Sequence, residues 1–182
     1  MITAKGVAPM SRCHNPNRFV DYSVIGMRHG GTNAPRIFPK CMTTLRLPPA
    51  LRTRLEQWAR GGYPHETCGL LLGHVQDQFV EVKEAAIARN LNVERAADRY
   101  ELDPAAFVAA DAQARAAGMD IIGIWHSHPD HPARPSQTDR AAAWTGWSYV
   151  ILSVSRDGVE DLRSWRLDGD RFVEVEVEAW VA

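Results

Sequence analysis

The sequence predicts an α/β fold: one domain with a mixed, strongly curved β-sheet flanked by helices. Three observations carry that expectation. From Met42 onward, helical runs with a 3.6-residue apolar period alternate with strand-like runs. Turn and cap residues stand at nearly every junction between them. The third is size: 182 residues, 45% of them hydrophobic and 24% charged, suffice for one buried core.

Residues 1–41 break the pattern. Gly, Pro, Asn and Arg are frequent there, and no stretch holds a helix or strand period for long; VDYSVIGM could form a short strand at best. This reads as a disordered or loosely attached leader, and Met42 as the start of a domain covering residues 42–182. In that domain, Pro48-Pro49 open the run LRTRLEQWAR and Gly61-Gly62 close it, the proline-first, glycine-last asymmetry of a helix. Leu51, Leu55 and Trp58 give it one apolar stripe. CGLLLGHV and QFVEVKEAAIA follow, separated by Gln76-Asp77, and read as a strand hairpin. The first is apolar on both faces, which marks an inner strand. Tyr100–Leu102 reads as a short strand. Asp103 caps a helix with Pro104 in its first turn, and Gly118 ends it. MDIIGIWHSHP is an apolar strand ending in polar residues, SQTDRAAAW a helix and SYVILSVS a buried strand. DLRSWRL and RFVEVEVEAW alternate, and Asp168-Gly169 joins them as a hairpin.

Composition narrows the function. A formal net charge of -1 gives no basic field for nucleic acid. No run reaches the roughly 18 apolar residues of a membrane span. Three cysteines, Cys13, Cys41 and Cys68, are too few and scattered for a disulfide framework, and an odd count fits a reducing compartment. A cytoplasmic location is the expectation.

The chemistry concentrates in WHSHPDHPARPSQTD, Trp125 to Asp139. His126 and His128 stand two apart at a strand end, so both imidazoles share one face and can bind one metal. Asp139 adds an oxygen donor. Two nitrogens and one carboxylate leave a position of tetrahedral zinc open, the pattern of a catalytic site. Such a metal supplies a water-derived nucleophile near neutral pH. Ser136 and Asp139 also form a capping-box pattern, which would hold Asp139 in place. His131 is a competing ligand in an extended, Pro-flanked loop and ranks below Asp139. Glu66, just before the inner strand, is either a surface charge or, beside the metal, a general base. Cys68 should face the same side as Glu66, most simply as a small buried side chain. Trp125, Trp144 and Trp147 read as core or pocket wall.

Taken together, Glu66, His126-Ser127-His128-Pro129, Ser136 and Asp139 resemble the JAMM motif, E…H-[ST]-H-P-x(6)-S-x(2)-D, at every specified position. The resemblance to the JAMM (MPN-plus) metalloproteases, in their stand-alone prokaryotic branch, covers roughly Leu45 to Val177. It implies a cytidine-deaminase-like JAB/MPN fold. It also implies Zn2+ held by His126, His128 and Asp139, Glu66 as general base, and Ser136 stabilising the oxyanion of the tetrahedral intermediate. The deaminase signature itself, H-x-E with P-C-x-x-C, is absent, which disfavours base deamination. By the same resemblance, the substrate is an amide or isopeptide bond after the diglycine tail of a ubiquitin-like or sulfur-carrier protein. A strand edge beside the site would bind that tail by β-addition. The alternatives are a peptidase acting on small peptides or cell-wall fragments, and a non-catalytic MPN binding module.

Overall fold

The structure, a computed structural model, describes residues 44–76 and 78–181; the leader of residues 1–41 lies outside the described residues. Among the described residues, seven strands and three helices follow in the order β1 (Thr44–Leu47), α1 (Pro49–Gly62), β2 (Cys68–Val75), β3 (Phe79–Ala88), α2 (Pro104–Ala116), β4 (Asp120–Pro129), α3 (Gln137–Ala142), β5 (Ser148–Ser155), β6 (Gly158–Asp168) and β7 (Arg171–Ala179).

The sheet is mixed, as expected, and its curvature runs to closure. The order β1-β3-β2-β4-β5-β6-β7 returns on itself, because β1 pairs in parallel with both β3 and β7. Strand β1 is absent from the sequence reading. Its four residues, TLRL, do alternate (Leu45 and Leu47 inward), but four residues before a Pro-Pro pair are too short a signal to separate from a loop. The β4–β5 pair is also parallel, with α3 in the crossover.

The double-faced apolarity of β2 has a direct cause. It lies between β3 and β4 and feeds two cores. Leu71 packs with Leu51, Leu55, Val82, Trp125 and Leu152. Leu70 and Leu72 pack with Ala110 and Ala114 of α2. In α1 the buried stripe is Leu51, Leu55 and Ala59; Trp58 is only partly buried and stacks on Trp125, ring centroids 5.5 Å apart. The Trp125 Nε1–H donates to the Ala86 carbonyl at 3.0 Å, passing over Gly69. A Cβ at Gly69 would stand 2.5 Å from that nitrogen, so glycine is needed for this close approach.

Three expectations need correction. Tyr100–Leu102 is not a strand; Leu102 makes one isolated antiparallel bridge with Asn90. The helix expected over SQTDRAAAW stops at Ala142, and the next residue, Ala143, is already extended. The other caps stand as read. The Asp103 side chain accepts from the Ala105 N–H, and Gly118 takes the left-handed conformation after α2. The β6–β7 turn sits one residue further on, at Gly169-Asp170, enclosed by the Asp168–Arg171 pair. Among the described residues no helix is long and apolar enough to cross a membrane.

Candidate metal centre

The end of β4 builds the site. His126 and His128 share one face by the two-residue alternation of the strand. Both are buried, and their Nε2 atoms stand 3.0 Å apart. Asp139 reaches them from the first turn of α3, Oδ1 lying 3.3 Å from His126 Nε2 and Oδ2 3.6 Å from His128 Nε2. The expected capping box fixes that carboxylate. Ser136 N–H donates to Asp139 Oδ2 at 2.6 Å, and Asp139 N–H donates to Ser136 Oγ at 3.1 Å. Glu66 arrives from the loop before β2 and is buried too; its Oε1 lies 4.0 Å from His128 Nε2. His131 stays exposed and outside the cluster.

A positive ion suits this arrangement. One donor atom each from His126, His128 and Asp139 lies within 4.8 Å of the others. Two nitrogens bonded tetrahedrally to one zinc stand about 3.3 Å apart for bonds of ~2.0–2.1 Å, close to the 3.0 Å found here. The tautomer agrees. His128 Nδ1–H donates to the Pro132 carbonyl at 3.0 Å, which leaves the Nε2 lone pair facing the cluster. The family pattern and this buried trio are compatible with a metal site.

The electrostatics are those of groups packed out of water. Burial pushes the Glu66 carboxyl up to about 7; His128 opposes that shift and Asp139 adds to it. A cation bound beside it would draw it down again. Burial alone would raise the Asp139 carboxyl, but the facing His126 and His128 imidazoles and the hydrogen bond from the Ser136 N–H outweigh it and hold the group well below the usual carboxylate range. Burial lowers His126. In His128 burial acts the same way, yet the facing Asp139 carboxylate and the hydrogen bond to the Pro132 carbonyl prevail and raise it.

Cys68 lies opposite His126 in the β2–β4 ladder and is fully buried, in keeping with a small apolar-like side chain. Burial pushes its thiol up to about 12, so the reactive thiolate is scarce at pH 8. In a chain with Cys13 and Cys41 replaced by Ser, iodoacetamide should leave Cys68 untouched in the native protein and alkylate it in guanidinium. Rapid native alkylation would contradict this burial.

Several contributors escaped the sequence reading. Ser127, between the histidines, is fully buried. Its N–H donates to the Thr67 carbonyl at 2.9 Å, and its Oγ accepts from the Thr67 N–H at 2.9 Å. This clasp ties the segment carrying Glu66 to the segment carrying both histidines. The Tyr100 ring lies against His126, centroids 4.7 Å apart. Asn90 donates to the Glu66 carbonyl at 3.1 Å. Only the [ST] position of the motif hinted at any of these. Of the tryptophans, Trp125 is core, while Trp144 and Trp147 sit edge to face, half-buried, beside Phe107 of α2.

Known proteins are similar to this chain in sequence and fold. A desampylase of Haloferax volcanii is 37% identical over 130 residues, 70% of this chain and 88% of that protein. A desampylase of Pyrococcus furiosus is 27% identical over 113 residues, 62% of this chain and 74% of that protein. A solution structure from Salinibacter ruber, 39% identical, matches with a TM-score of 0.58 and covers 76% of this chain and 91% of that one. Another from Desulfitobacterium hafniense, 29% identical, matches with a TM-score of 0.65 over 76% of this chain and 93% of that one. The family of prokaryotic homologs of the JAB domain matches residues 48–168, from the start of α1 to the end of β6. That span contains the whole cluster of Glu66, His126, His128, Ser136 and Asp139, and the chain belongs to this family.

Proposed function

We propose that this chain is a zinc-dependent isopeptidase that hydrolyses the amide bond after the diglycine tail of a ubiquitin-like or sulfur-carrier protein. A hydrolase of the metalloprotease type is supported by family membership and by the desampylase relatives. The observation that carries the reading is the position of Glu66. It comes from a different segment of the chain, yet its carboxylate lies beside the buried His126–His128–Asp139 trio.

Each residue then has a task. His126, His128 and Asp139 would hold zinc, which when bound supplies a nucleophile at neutral pH and polarises the scissile carbonyl. Glu66 accepts the proton released as the nucleophile forms and delivers it to the leaving amine. Ser136 donates to the oxygen of the tetrahedral intermediate. Its Oγ already accepts from the Asp139 N–H, so its own proton remains available. Barrel closure limits where a tail can add as a strand. On β4 the pairing with β2 runs only to His126, while the pairing with β5 continues to Pro129. The side of His128–Pro129 turned away from β5, which offers the Pro129 carbonyl as an acceptor but no N–H, is the edge we assign to the tail. We assign the activity to residues 42–182, and the odd cysteine count supports a cytoplasmic setting.

The test is cleavage of ubiquitin-like and sulfur-carrier proteins joined through their diglycine tails to a fluorescent lysine. The zinc-loaded chain should release the lysine, o-phenanthroline should stop the reaction, and added zinc should restore it. Absence of chelator-sensitive cleavage across such a panel would refute the substrate assignment.

A further inference from the structure

The segment between β3 and α2 leaves the barrel and returns to its starting point. Leu91 N–H donates to the Glu101 carbonyl at 2.8 Å, and Asp103 N–H to the Arg89 carbonyl at 3.2 Å. Residues 90–102 are thus a strap with a closed neck, in the manner of an Ω-loop. One side chain organises the neck from inside. Asn90 Oδ1 accepts from the N–H groups of Asn92 and Glu101, each at 3.0 Å. Its Nδ2 donates to the carbonyls of Arg99 at 3.0 Å and Glu66 at 3.1 Å. Both donors and both acceptor sites of the amide are used, which no other side chain of its size can reproduce.

Glu66 is gripped from this strap on both sides. Its N–H donates to the Ala96 carbonyl at 2.6 Å, and its carbonyl accepts from Asn90. Strand β2 begins only at Cys68, so neither bond belongs to the sheet ladder. The backbone of the proposed base therefore takes its position from residues 90–102, and only its carboxylate is left to the site. Tyr100 of the same strap rests on the His126 ring.

We propose that Asn90 is a positioning residue for Glu66: it closes the strap and fixes the Glu66 backbone so that the carboxylate stands beside His128. The proposal rests on the reading of Glu66 as general base, and its experiment separates the two. Asn90→Ala should speed amide exchange at Glu66 and across 91–101 by about tenfold or more, leaving Leu70–Leu72 protected. With the diglycine–lysine reporter, kcat should fall about 10–100-fold, with KM and one bound zinc per chain retained. In a Glu66→Ala background the same substitution should cost nothing further.

Asn90→Asp keeps the two acceptor contacts and turns an anionic oxygen toward two carbonyls; it serves the same comparison should Asn90→Ala fail to fold. All rates are read where circular dichroism shows each variant folded. Unchanged exchange at Glu66, or losses that multiply in the double variant, would overturn the role of Asn90. Wild-type turnover in Glu66→Ala alone would instead sink the base assignment, and amide exchange would still report whether Asn90 holds that backbone.

Discussion

Glu66→Ala is expected to reduce kcat on the diglycine–lysine reporter by about 10^2–10^4-fold, the usual range for a positioned general base, while bound zinc stays at one per chain. The reasoning is geometric. The Glu66 carboxylate lies 4.0 Å from His128 Nε2, near enough to serve a nucleophile formed at the cluster. It is not one of the three groups whose donor atoms converge, so truncating it leaves the metal donors in place. Glu66→Gln sharpens the result, since the amide fills the same volume but takes up no proton at neutral pH. Both variants should be nearly inactive, with unchanged thermal melts. Turnover near that of the parent chain in Glu66→Gln would remove Glu66 from the mechanism. Loss of zinc in either variant would instead make it a donor.

Asp139→Ala carries the second large effect, and it should strike binding and folding together. Asp139 faces His126 and His128, and the same carboxylate accepts the Ser136 N–H at the head of α3. Its removal deletes an oxygen donor and half of the capping box. The Ser136 cap remains, and the lost hydrogen bond from the Ser136 N–H to the carboxylate is worth about 1.5–3 kcal/mol. Mass spectrometry of the intact native protein should find zinc lost, the diglycine–lysine reporter should show no turnover, and amide exchange should show α3 frayed. Asp139→Asn separates the two contributions, because its Oδ1 can still accept at the cap while the negative charge is gone. It should keep α3 and still bind zinc far more weakly. Full zinc occupancy in Asp139→Asn at micromolar metal would contradict the proposed donor set.

Much of the fold was legible because its signals are local. Asp103, Pro104 and Gly118 bound α2 by backbone chemistry that depends on a few neighbours. The double-sided apolarity of β2 announced an inner strand because two cores demand it. The candidate site was legible for a different reason: seven positions carry a spacing that chemistry requires. What stayed hidden is held by partners distant in sequence. Asn90 in ARNLNV looks like any loop asparagine, and its importance lies in a carbonyl of Glu66. Pro132 was read as marking an extended loop, yet its carbonyl orients His128. Strand β1 earns its place only through β3 and β7, neither of which adjoins it in sequence.

That last strand sets a boundary on how the chain can be cut. The stretch shared with the family, residues 48–168, omits β1 and β7. A fragment trimmed to those residues would keep the complete cluster and lose the two strands that join β3 to β6. The barrel would become an open sheet with two bare rows of N–H and C=O groups, along β3 and along β6. Exposed edges of that kind pair with copies of themselves. Strands β1 and β7, which look dispensable beside the candidate metal centre, cover those edges.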